Sequence, residues 1–195
     1  MGDDRRPRET YAPKEREVED LWGSQTKSGI YFSKYDSIPV KTLGENKPSS
    51  ITNFQTSGLA TVLLENVRRA EYTVPTPVQK HGMLIIMAGR DLMASAQTGS
   101  GKTAALLLPI IDCIISTRAP SGQSLSVQAP QAVINDHHSH QGAGQWPVAI
   151  QISDEAGKFA TGTDVKTATL YGWDFDQTIS YSMAQALKPC IKQLS

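Results

Sequence analysis

Eight consecutive residues in this chain carry a recognisable chemistry: Ala96, Gln97, Thr98, Gly99, Ser100, Gly101, Lys102 and Thr103, written AQTGSGKT. They stand between an apolar run ending at Ala94 and another beginning at Ala104. A strand that stops, a glycine-rich turn and a helix that opens on Lys-Thr gather backbone N–H groups and a helix N-terminus around one concavity, a geometry that suits phosphate. Gly99 and Gly101 supply the backbone freedom. Lys102 would reach β- and γ-phosphates as a point charge, and the Thr103 hydroxyl would ligate a Mg²⁺ bridging the same oxygens. A Gly/Ser loop holding GKT by chance is the bland alternative. The strand-like DLMASA (Asp91 to Ala96) before it and the helix-like run after it argue against that alternative.

The elements that must position this loop follow from the local signals. Upstream, Ser57 reads as the N-cap of a helix carrying Leu59, Val62, Leu63 and Val67. In YTVPTPVQK, Tyr72 to Lys80, Pro75 forces an extended Val74, Thr76 can cap, and Pro77 fits the first helical position. A helix then runs to Met87 and closes at Gly89. The loop's own helix runs from Lys102 to about Ser116, and Pro109 should bend it by deleting one hydrogen bond.

Downstream of Thr117 the character changes. Residues 117–147 are rich in Gly, Ser, Gln and Ala, and only QAVI (Gln131 to Ile134) reads as a short strand. A structureless loop of that length is unusual inside a compact domain. Val148 to Ala160 reads as a helix, Asp164 to Gly172 as a strand, and DQTISYSMAQALK as a helix with Ile179, Met183 and Leu187 on one face. The alternation argues for a parallel α/β sheet flanked by helices. At the other end, residues 1–28 are polar apart from Leu21 and Trp22 and read as a disordered extension. Residues 29–53, including GIYFSKYDSIPV, read as an extended flanking segment.

Composition narrows the functional classes. The formal net charge is zero, and residues 119–195 hold four Lys against six acidic residues, so no part of the chain advertises a polyanion by charge alone. Cys113 and Cys190 make neither a disulfide framework nor a metal spacing, which points to a reducing compartment. The start MGDDRRPRE is not a signal peptide, and no apolar stretch approaches bilayer length, so the expectation is a cytoplasmic protein without a membrane partner. His137, His138 and His140 could be a metal cluster, but no fourth ligand stands at a suitable spacing.

Together, PTPVQK, GRDLMASAQTGSGKTAA and LLLPII resemble the DEAD-box RNA helicases, and GIYFSKYDSIPV is similar to the segment before the helicase core in the Vasa subfamily and the related Ded/Belle group. The resemblance covers Gly29 to about Ser116 strongly, and Val148 to about Tyr171 more weakly. It implies an incomplete RecA-like ATP-binding domain over residues 54–195, with ATP and Mg²⁺ as cofactors and RNA as partner. It assigns Gln79 to a base-recognising Q motif, and a carboxamide can indeed offer one donor and one acceptor to the adenine N6/N7 edge. Phe54 would stack on adenine. Read from the residues alone, Phe54 is a core aromatic, and Thr76 and Tyr72 are cap and packing residues. Family members also work with protein partners and in perinuclear ribonucleoprotein granules of the germ line, which the resemblance extends to this chain.

Several family elements are missing or altered. DEAG, Asp154 to Gly157, lies only 52 residues after Lys102, too close for the namesake acidic motif. AIQI, EA and KF around it instead resemble the helix after family motif Ia. Where that motif's PTRELA belongs, QAVI is followed by NDHHSHQGAGQWPV, and Trp173 follows Gly172 where a second glycine belongs. The expectation is therefore a helicase N-terminal piece with no confident catalytic residue, no second RecA-like domain, weakened RNA contact, and an exposed, aggregation-prone sheet flank. Two alternatives stand beside it: a short isoform that binds ATP or protein partners without hydrolysis, and another P-loop protein such as a small-molecule kinase.

Overall fold

In a computed structural model, residues 18–23, 38–117, 131–134 and 146–169 are described. The His cluster, Gly172, Trp173 and the expected helix beyond residue 176 lie outside them, as do residues 29–37 of the flanking segment. Five α-helices are described: α1, Val18–Gly23; α2, Thr61–Arg69; α3, Pro77–Met87; α4, Lys102–Thr117; and α5, Trp146–Ala160. A single 3-10 turn, Phe54–Thr56, precedes α2.

Helix α4 is the centre of the packing. Its residues Ala104, Leu107, Leu108 and Ile111 recur at helical spacing and are buried, and they meet Met83 of α3, Leu63 and Val67 of α2, and Phe159 of α5 in one cluster. Pro109 is itself buried, and α4 runs on past it to Thr117. The boundaries of α3 follow the local chemistry. Pro77 occupies its first turn, and Gly89, at φ 67°, ends it with its N–H on Ile86 O while the Arg90 N–H reaches Ile85 O.

Helix α2 departs from the sequence reading. It begins at Thr61, with Ala60 at the cap position, and the cap comes from another helix: the Ala60 N–H donates to Asp112 Oδ1 of α4 at 2.8 Å. Ser57 instead closes the preceding 3-10 turn, donating to Phe54 O at 2.6 Å and accepting from the Leu59 N–H. Its C-terminus is a Schellman arrangement with Glu71 at φ 63°, the Tyr72 N–H returning to Val67 O.

No strand ladder forms among the described residues, so the expected strands at 91–96, 131–134 and 164–172, the last described only to residue 169, are not assigned as strands there. A strand is completed by its neighbours' backbone groups, and among the described residues none pairs with residues 91–96 in a ladder. Residues 91–95 are exposed, Met93 wholly so. The N-terminal extension differs from expectation in the opposite sense. Six of its residues fold as α1, because Leu21 and Trp22 find a groove against α5 and become buried.

Candidate nucleotide site

The phosphate loop lies at the N-terminus of α4 with Gly99 at φ 77° and Gly101 at φ 80°, the left-handed region that only glycine enters without strain. Lys102 folds back over its own loop, where its ammonium donates to Ala96 O at 2.5 Å and Gln97 O at 2.9 Å. The charge intended for phosphate is thus held by carbonyl dipoles. Thr103, in the first turn of α4, is exposed, and so are Gln97, Thr98 and Gly99, with Ala96 half-buried. Ser100 is buried, and its Oγ has no hydrogen-bond partner. An orphaned buried hydroxyl, two left-handed glycines and a helix N-terminus make a loop whose geometry suits a phosphate group.

The start of α3 is tied directly to this loop. Thr76 Oγ1 donates to Ser100 O at 2.7 Å, and Gln79 Nε2 donates to Gly101 O at 3.2 Å. Gln79 Oε1 also accepts the Thr76 N–H at 2.9 Å, the return arm of a capping box. Both side chains are fully buried. One N–H and one acceptor lone pair of the Gln79 carboxamide remain beyond these bonds. A Cβ at Gly101 would collide with the Gln79 carboxamide, so the glycine lets the two elements touch.

Phe54 is placed differently from these residues. It is 2% exposed, and its ring meets Tyr72 edge-on with centroids 6.3 Å apart. Tyr72 in turn meets Phe159 at 5.9 Å and donates its hydroxyl to Glu155 Oε1 at 2.7 Å. Burial, then the Glu155 charge and hydrogen bond, pushes the Tyr72 phenol far above its ordinary value of 10.0. Phe54 therefore stands in the core next to the α3 entry rather than open to a ligand. Sequence reasoning did not single out Glu155 and Phe159. Their i, i+4 spacing on α5 puts them on one helix face, the signal available for pairing them with Tyr72. The tempting DEAG lies in the same helix, and its glutamate is engaged with Tyr72.

Comparison with known proteins agrees with this arrangement. A family model described as DEAD/DEAH box helicase matches residues 76–178, from the Gln79 element through the phosphate loop and α5. The chain is 41% identical over 169 residues to the ATP-dependent RNA helicase vasa of Drosophila melanogaster, covering 86% of this chain and 24% of that protein. It is 38% identical over 185 residues to human probable ATP-dependent RNA helicase DDX4, covering 94% of this chain and 24% of that one. It therefore spans about a quarter of the length of these relatives. Among solved structures, the RNA helicase Prp28 of Chaetomium thermophilum bound to ADP superposes with a TM-score of 0.55 at 32% identity, over 72% of this chain and 31% of that one. With its phosphate loop, the α3 entry bonded to it and a family match over more than half its length, the chain belongs to the DEAD/DEAH box helicase family, on its Vasa-type branch, and is a fragment of a RecA-like fold.

Proposed function

We propose that residues 54–103 receive ATP with Mg²⁺ as part of an RNA helicase's first RecA-like lobe, and that the 195-residue chain on its own binds nucleotide without turning it over. The observation that carries the reading is the pair of bonds Thr76 to Ser100 and Gln79 to Gly101, which unites a base-recognising turn and a phosphate loop in one body. Bound Mg²⁺–ATP supplies the phosphoanhydride and its counter-charge. For their part, Lys102 would give up its two carbonyl partners to hold phosphate, Thr103 would offer its open hydroxyl to the metal, and the loop N–H groups would bind phosphate oxygens. Gln79 has one donor and one acceptor left with which to meet an adenine edge, but it is fully buried, so both it and Phe54 reach a base only if the elements carrying them shift outward.

Turnover needs an acidic pair at the metal, and the one candidate sequence, DEAG, is committed to α5 with Glu155 on Tyr72. RNA would be the partner of the longer helicase, held here without the phosphate-gripping residues of motif Ia. By resemblance we place the protein in the cytoplasm and its ribonucleoprotein granules, among the helicase's protein partners. The test titrates fluorescent ATP and ADP with Mg²⁺ against the chain and its Lys102→Ala variant, alongside RNA-stimulated phosphate release. Saturable binding that weakens at least tenfold in the variant, with no release above background, is expected. Equal or undetectable binding by both removes the nucleotide reading, and turnover at a full-length helicase's rate removes the binding-only one. A binding-only short isoform predicts the same affinities and remains the second reading.

A further inference from the structure

The groove between the last turn of α2 and the end of α5 is a built receptor for one pair of side chains. Trp22 lies under the Arg69 guanidinium, whose carbon is 4.2 Å from the ring centroid, and its indole Nε1 donates to Thr161 Oγ1 at 3.4 Å. Thr161 is fixed in turn, its hydroxyl donating to Gly157 O at 3.1 Å and its carbonyl accepting from Asn66 Nδ2 at 2.7 Å. Leu21 fills the space a side chain at position 157 would take: a Cβ there would stand 3.0 Å from Leu21 Cδ1. Glu19 and Asp20 of the same short helix are exposed, Arg69 lies against Trp22, and the last turns of α2 and α5 also carry Arg68 and Lys158. Charge and shape therefore select the same ligand.

We infer that this groove is a binding site for a short acidic helix bearing adjacent Leu and Trp, occupied here by the chain's own Val18–Gly23 and open to the same motif supplied in trans. Six residues cannot hold a helix in water unaided, so α1 exists by virtue of the groove. Among its described side chains, Leu21 and Trp22 are the buried ones. Gly157 sets the specificity, admitting Leu21 where a larger residue would fill the notch. Being part of the same chain, the motif in cis binds intramolecularly, and a trans ligand must compete with it. The site lies outside residues 54–103 and does not rest on nucleotide binding.

The experiment uses the full chain and a fluorescein-labelled peptide of residues 15–26, read by anisotropy. With Leu21→Ala and Trp22→Ala together, the groove is vacated, and saturable peptide binding is expected. The unaltered chain should bind at least tenfold more weakly, because its own α1 competes. Adding Gly157→Leu to the vacated chain should abolish binding, and Arg69→Ala, at an exposed position, should weaken it severalfold while leaving the far-UV circular dichroism unchanged. A peptide with Ala at the Trp position should not bind. Equal binding by the vacated and unaltered chains, or by peptides with and without Trp, overturns the proposal. So does absence of binding to a vacated chain that retains its helical spectrum; one that loses the spectrum is replaced by hydrogen exchange on the unaltered chain, where protection of residues 18–23 must fall in Arg69→Ala.

Discussion

Replacing Tyr72 by Phe removes one oxygen and leaves the ring between Phe54 and Phe159. The lost bond is a phenol donating to the Glu155 carboxylate at 2.7 Å. Hydrogen bonds to charged groups contribute about 1.5–3 kcal/mol, so a loss of about 2 kcal/mol is expected, roughly thirtyfold in the folding equilibrium. The same substitution has a signature in pH. The Tyr72 phenol is pushed far above 10.0 in the folded chain, chiefly by burial. Its contribution is therefore fully present below pH 10. Above pH 10 the unfolded chain loses a proton that the folded chain keeps, and stability falls by about 1.4 kcal/mol per pH unit until the folded group titrates. Urea unfolding followed by circular dichroism from pH 7 to 11 should show this decline in the unaltered chain and a shallower one in Tyr72→Phe. Glu155→Gln, alone and combined with Tyr72→Phe, closes a cycle in which a coupling of about 1 kcal/mol or more is expected. A Tyr72→Phe chain within about 0.5 kcal/mol of the unaltered one at pH 7, with no difference in alkaline slope, would show that the bond does not hold α5 to the α3 entry.

Two further predictions separate packing from loop chemistry. Asn66 Nδ2 donates to Phe159 O at 2.8 Å and Thr161 O at 2.7 Å, so Asn66→Ala strands two carbonyls and should cost about 2–4 kcal/mol in urea unfolding without altering the phosphate loop. Gly89 and Gly101 both have positive φ, but a Cβ at Gly89 meets open space while one at Gly101 meets Gln79 and Thr76. Gly89→Ala should cost about 1–2 kcal/mol and leave nucleotide affinity intact. Gly101→Ala should cost more and abolish nucleotide binding, as measured by melting with and without Mg²⁺–ADP; equal effects of the two would contradict the tight approach of α3 to the loop.

Much of the site was legible in the sequence because it is local. The order of Gly99, Gly101, Lys102 and Thr103 fixes a turn and a helix start wherever the chain goes, and Pro77 and Gly89 bound α3 by backbone chemistry alone. The helical spacing read in α2 likewise named Leu63 and Val67 of the core. Other features came only from tertiary structure, because they join residues far apart in sequence. Asp112 caps α2 across 52 positions, Glu155 meets Tyr72 across 83, and Trp22 reaches Thr161 across 139. The 91–96 segment, in no ladder among the described residues, belongs with them, since β-propensity prepares a strand but only a neighbouring backbone completes one. Short-range sterics and hydrogen bonding thus determined the phosphate loop and its helix, whereas the destination of each buried side chain was decided by which surfaces folding brought together.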